Sequence, residues 1–339
     1  MKTQTLGQVQ IRRLVEIDKL EVDAYWLLKN LTKDFLDKHR AELGPELVHP
    51  TQDKVFLSFH TFVVQTPHHN ILIDTCNGND KQRPSMPAWH MMKSPYLENL
   101  AAMGLRPEDI DMVMCTHLHT DHVGWNTKLE NGRWVPTFPK ARYFMSRVDF
   151  EVFNAAHKSN PEIPVNRGSF VDSVLPVVEH GQAVFVDPGD VVSADLADNV
   201  WLEDAAGHSP GNMNINIRGG GRNACICGDT IHHPLQCADP MLHNTYDYDT
   251  PTGQISRRKL LERVSDTDTL VLTGHFRAPT AGRVVSHPDG NFRFRFENPE
   301  QDVEKTDRGL RFLLKSGCHW ELRHPQEPAP AGPRSAQES

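Results

Sequence analysis

The sequence lacks several features that would fix its class at once. No stretch of its 339 residues approaches the roughly 18–20 continuous apolar residues needed to cross a bilayer, so no membrane-spanning helix is expected. A basic excess is missing too. With 36 Lys and Arg against 44 Asp and Glu the net charge is −8, whereas phosphate backbones require a basic face. Nucleic acid is therefore not an expected partner. Cysteine is sparse: the 6 residues at positions 76, 115, 225, 227, 237 and 318 do not form a disulfide framework. Cys225 and Cys227 have no second pair at zinc-finger spacing and read as residues on one face of a strand. No Gly-rich phosphate loop stands out, since Gly219-Gly220-Gly221 lies between two strand-like runs and reads as a hairpin turn. The opening MKTQTLGQVQIRRLVEIDK carries charges where a secretory leader needs an apolar run, which points to a cytoplasmic protein.

What is present is an ordinary globular composition, 38% hydrophobic and 24% charged, with enough length for one large domain. Segments 8–17, 55–65, 70–74, 111–115 and 142–146 are rich in β-branched and aromatic residues and read as strands. Further strands are expected near 182–186, 200–205, 213–218, 223–227 and 269–273. Helices are expected over 25–42, about 91–104, from 147, near 255–264 and near 301–316, with a loop at 159–169. The helical excursion 25–42 would pack on the domain or on a partner subunit, making a homodimer contact. Interleaved strands and helices indicate an α/β layered fold over residues 1–323. The tail 324–339 is rich in Pro, Ala, Ser and Gln and is expected to be disordered.

Histidine is abundant, with 19 residues. Directly after the strand-like DMVMC, the run Thr116-His117-Leu118-His119-Thr120-Asp121-His122 gathers three imidazoles and a carboxylate. In extended backbone, positions 117, 119 and 121 point to one side while His122 aims elsewhere, so such a loop can serve two neighbouring metals. Four donors are too few for two metals, and three more follow strand-like runs beside glycines: His208 in GHSPG, Asp229 in GDT and His275 in TGH. Imidazole and carboxylate suit borderline divalent ions.

The set HLHTDH, GHSPG, GDT and TGH, in this order over residues 55–290, resembles the metallo-β-lactamase superfamily of binuclear metallohydrolases. That resemblance implies an αββα four-layer sandwich with its site at one edge of two sheets. It implies one metal on His117, His119 and His208, a second on Asp121, His122 and His275, and Asp229 bridging both. Asp74, ending NILID, matches the early Asp that supports the ligand loop from behind. Zinc is the first expectation for both ions, and manganese, iron and cobalt also suit these donors.

The stretch GDTIHHPLQCADP with the later TGHFRAP is similar to the branch of N-acyl-homoserine lactonases and organophosphate hydrolases. The expected reaction is hydrolysis of a small ester-like molecule (a lactone, aryl ester or phosphotriester) by a hydroxide held between the metals. Asp121 would orient the nucleophile or carry its proton. The alternatives are a glyoxalase II-type thioesterase and a redox or dehalogenating metalloenzyme on the same fold. Around the cleft, Trp89, His90 and His157 are candidate substrate contacts, though packing or surface roles suit them too. Arg277 is a candidate anion contact, and Met91-Met92 reads as packing. His232, His233 and His243 read as histidines at the surface or behind the ligands.

Overall fold

Alternating apolar residues build two sheets in the computed structural model, which describes residues 1–190, 192 and 200–297. The first has seven strands, in the order Gln4–Leu6, Val9–Asp23, Lys54–Gln65, Asn70–Ile73, Met112–Met114, Arg142–Ser146 and Ala183–Val186. The second has six, in the order Val200–Asp204, Met213–Gly219, Arg222–Ile226, Leu270–Leu272, Ala281–Ser286 and Phe292–Phe296. Neighbours are antiparallel except at the far side of the first sheet, from Asn70–Ile73 to Ala183–Val186, and between Arg222–Ile226 and Leu270–Leu272.

The strand period of two divides each sheet into an inner and an outer face. Phe62, Ile71, Ile73 and Met114 of the first sheet meet Ile215, Ile217, Ile226 and Leu272 of the second in one buried core. On the outer face of the first sheet, Val63, Leu72, Val113 and Tyr143 pack with Tyr96, Leu100, Phe153 and Val177 from helices. Cys225 and Val271 of the second sheet pack outward on Leu260, Leu261 and Val264 of helix Thr250–Val264, with Cys227 just beyond the strand. The layers are therefore helix, sheet, sheet, helix. The expected hairpin turn is present: Gly219 pairs with Arg222 across Gly220 and Gly221, both at positive φ.

Several boundaries differ from the sequence reading. The first long strand runs from Val9 to Asp23, with irregular register at Val15/Ile17 and Ile17/Leu20. The helix expected over 25–42 is two helices, Ala24–Leu27 and Lys33–Leu43. Leu28 is extended between them and bridges to Asn244, and the Thr32 hydroxyl then caps the second helix on the Phe35 amide. Leu27, Leu28, Leu31 and Leu36 are buried with Leu57, Phe59, Leu235 and Leu242, so the excursion packs on its own domain. The helix expected at 91–104 is confined to Tyr96–Ala102, because Asn79 brackets Ser94 through its amide and carbonyl just before Pro95. A hairpin, Thr127–Glu130 with Arg133–Pro136, and the last two strands of the second sheet were not foreseen. The expected helix 301–316 and tail 324–339 lie outside the described residues.

Candidate metal centre

Four short loops leave their strands at the same edge of the sandwich. Asp74 follows Ile73, the run 116–122 follows Met114, Asp229 follows Ile226, and His275 follows Leu272. His208 arrives on the loop between Val200–Asp204 and Met213–Gly219. Tight backbone contact lets these loops converge. Gly228 sits at φ +45, where a Cβ would lie 2.5 Å from Thr116 Oγ1.

The seven candidate ligands come together in two groups. His117, His119 and His208 form one, and Asp121, His122, Asp229 and His275 the other, with each group's donor atoms within 4.8 Å of one another. Asp229 stands between them. Its Oδ2 lies 3.2 Å from His208 Nε2 and 3.8 Å from His117 Nε2. Its Oδ1 lies 3.2 Å from His122 Nε2 and 3.0 Å from His275 Nε2. Asp121 Oδ2 is 3.7 Å from His122 Nε2 and 3.6 Å from His275 Nε2.

The far nitrogens of these rings are held from behind, which fixes which nitrogen faces the centre. His275 Nδ1 donates to the Ser58 carbonyl at 3.1 Å, and His208 Nδ1 pairs with Asp247 Oδ1 at 2.9 Å. Asp74 Oδ2 takes His122 Nδ1 at 3.0 Å, and Asp74 also accepts the Thr116 amide and hydroxyl. The Thr116 hydroxyl in turn lies 3.1 Å from His117 Nδ1. Asp74 therefore supports the ligand loop at two points, from a backbone at φ 56 that non-glycine residues seldom adopt.

Burial sets the electrostatics. It opposes protonation of His208, yet the Asp229 and Asp247 carboxylates raise that imidazole to about 9. Burial also disfavours the Asp229 carboxylate, but His122, His275 and His232 hold it well below the usual carboxylate range. His117 and His119 are pushed down by burial and by neighbouring imidazoles. His117 Nε2, His122 Nε2 and Asp229 Oδ1 are buried and make no well-aligned hydrogen bond, although they face one another. Buried polar atoms left in this way are costly. Imidazole nitrogens and carboxylates around one point are the donor set that divalent cations satisfy, so the residues fit a metal pair.

The cluster forms the floor of a cleft of about 230 Å³. Its lining is largely apolar, with Leu20, Val22, Trp26, Leu57, Phe59 and Trp89, and Tyr246 packs edge-on against Trp26 with Arg167 over its ring.

Of the other candidates, Trp89 lines the cleft, while His90 is exposed and accepts the Arg83 amide through Nδ1. His157 packs its ring against Phe170 and lines a separate shallow groove. Arg277 turns away to Asp18 and Glu46 and does not line the cleft. His233 is buried against the Leu47 carbonyl, and His243 is half-buried outside the cleft.

Of the two places read for His232, at the surface or behind the ligands, the structure excludes the surface. His232 is buried in the centre, with Nε2 3.0 Å from Asp229 Oδ2, and shares a third donor group with His208 and Asp229. Burial lowers it to about 4. Its position three residues after Asp229 was the available signal. Asp149 carried no motif at all, yet it accepts the Leu118 amide at 3.0 Å, the Ser209 hydroxyl at 2.9 Å and the Gly211 amide at 2.6 Å. One carboxylate thus ties the 116–122 loop to the 207–211 loop.

The geometry agrees with comparisons to known proteins. The model of the Metallo-beta-lactamase superfamily matches residues 60–275. The chain is 24% identical over 298 residues to an N-acyl homoserine lactonase, AiiB of Agrobacterium fabrum (strain C58 / ATCC 33970), covering 80% of this chain and 96% of that one. Among solved structures it is similar to AidC, a dizinc quorum-quenching lactonase, with a TM-score of 0.67 at 21% identity, covering 87% of this chain and 97% of that one. It is also similar to the hydrolase AbOPH, with a TM-score of 0.68 at 21% identity, covering 86% and 95%. With the family model spanning well over half its length, the chain belongs to the metallo-β-lactamase superfamily of metal-dependent hydrolases.

Proposed function

We propose that this protein is a dinuclear-metal hydrolase of small ester-like substrates, with a lactone as first choice and an aryl ester or phosphotriester next. The observation that carries this reading is the pair of donor groups sharing Asp229 at the floor of a mostly apolar cleft. His117, His119 and His208 would hold one cation, Asp121, His122 and His275 the other, and Asp229 both, with zinc favoured. When bound, two such cations polarise a carbonyl or phosphoryl oxygen and supply a nucleophile near neutral pH.

The chain's own residues divide the remaining work. Both carboxylates line the cleft, and Asp121, at 14% side-chain exposure against 4% for Asp229, is the more open of the two, so we assign it to the attacking water. It orients that water, holds its proton and can return it to the leaving oxygen. Leu20, Val22, Trp26, Leu57 and Phe59 exclude solvent and take the apolar arm of the substrate. The similarity to an N-acyl homoserine lactonase and to AidC supports placing lactones first.

The test is hydrolysis by zinc-reconstituted protein of an acyl-homoserine lactone, a γ-lactone, a nitrophenyl ester and a phosphotriester. The wild type is expected to turn over lactones, and an Asp121→Ala variant to lose that activity. Silence of the wild type on every ester, with two metals bound per chain, would move the reading to a thioester or to dehalogenation. No helix among the described residues is long and apolar enough to cross a membrane. A homodimer, if one forms, would show as a light-scattering mass near twice 38.4 kDa.

A further inference from the structure

Arg167 stands out among the cleft residues. It is the one Lys or Arg among the described residues lining the cleft, and it forms no ion pair with a carboxylate among them. Its guanidinium carbon lies 4.6 Å from the Tyr246 ring centroid and 5.9 Å from that of Trp89, so the cation is held between two aromatic side chains of the cleft. The backbone beneath it is unusual: Asn166 and Arg167 sit at φ 47 and φ 57, left-handed for two non-glycine residues.

This turn is tied to the ligand loop. The Thr120 hydroxyl donates to the Asn166 carbonyl at 2.6 Å, and the Asn166 side-chain amide donates to the Leu118 carbonyl at 3.0 Å. Arg167 is therefore held in the cleft by a turn fastened to the loop that carries His117, His119, Asp121 and His122. A planar guanidinium there, beside the Tyr246 hydroxyl and with no carboxylate partner among the described residues, matches a ligand with one acceptor oxygen between its reacting bond and its apolar arm.

Resting on the hydrolase reading, we propose that Arg167 is the specificity-determining residue of the cleft. Its guanidinium donates to a carbonyl oxygen on the substrate's acyl arm, beside the scissile ester, while the rest of the arm lies against Leu57 and Phe59. Two lactones of equal length separate this role from general packing, one bearing an amide carbonyl on its arm and one a plain alkyl chain.

Arg167→Met is expected to raise KM for the amide-bearing lactone about tenfold or more, the scale of a lost charge-assisted hydrogen bond. The preference for that lactone over the alkyl one should collapse, and Arg167→Lys should restore part of it. Metal content and the urea midpoint should match the wild type. An equal loss on both lactones, or an unchanged preference, would overturn the assignment.

Tryptophan fluorescence reads binding even without turnover, because Trp26 and Trp89 line the cleft. If the wild type hydrolyses neither lactone, the choice of lactones has failed and the titration still decides about Arg167. At least about tenfold tighter binding of the amide-bearing lactone by the wild type than by Arg167→Met supports the role. Equal affinities, or no binding by either, sink it.

Discussion

The floor of the cleft and its mouth are built on different plans. On the floor, donor residues leave the ends of short strands, and the far nitrogens of His122, His208 and His275 are taken up by Asp74, Asp247 and the Ser58 carbonyl. The mouth is assembled from distant, irregular pieces. Trp89 comes from the 81–92 loop, Arg167 from a strained turn, and Tyr246 from the segment against which Leu28 bridges. Its anchor is a buried charge cluster, in which Arg83 grips both oxygens of Asp172 at 2.7 and 2.8 Å and Lys81 donates to the Asp172 carbonyl at 3.1 Å. The floor is suited to chemistry common to all substrates, and the mouth to choosing among them.

That division can be broken most sharply at Asp229. Asp229→Ala should abolish turnover of every substrate and lower bound metal in elemental analysis. Two metals with full activity in that variant would end the shared-ligand assignment. One layer back, Asp74→Ala and Asp247→Ala should each weaken metal affinity about 10–100-fold, read by competition with a chromogenic chelator.

The mouth should respond differently. Trp89→Ala is expected to raise KM for a long-chain lactone about tenfold while metal content stays constant, given about 1.5–3 kcal/mol for burying a large apolar side chain. A fall in kcat alone would place Trp89 with the floor instead.

A separate effect, on stability and not on turnover, is a pH slope. Burial lowers Lys81 from an ordinary 10.5 to about 7, against the pull of Asp172. Between those values the unfolded chain binds the proton that the folded chain has released, so stability rises with pH across that window. Below about 7 both states carry the proton, and the cost of burying the charge is present in full. Urea midpoints at pH 7 and 10 should therefore rise in the wild type, and rise less in Lys81→Met.

The same contrast governs what the sequence discloses. The floor is legible because its donors are strung together: His117, His119, Asp121 and His122 fall within six residues, and each remaining candidate ligand follows an apolar strand beside a glycine. Asp74 was readable because it ends a strand. His232 was left open between the surface and a place behind the ligands, and only the fold around Asp229 decides for the buried place. Asp149 reaches Leu118 across 31 residues and Asp247 reaches His208 across 39, so neither of these contacts shows in the local sequence. Arg277, two residues from a ligand, looked well placed, but its side chain crosses to Asp18 and Glu46 on other segments. The last strand, FRFRF, did have the right alternation, with Phe292 and Phe294 buried, but its arginines break any apolar run.

Asp149 carries one more consequence. Because it fastens Leu118, Ser209 and Gly211 from inside the protein, the two loops need no cation to hold them together. Their ordering entropy belongs to folding, and a cation arriving at the centre meets a finished frame. The apoprotein should then shield the Leu118 and Gly211 amides from deuterium nearly as well as the loaded form, and metals could come and go without the loops melting between visits.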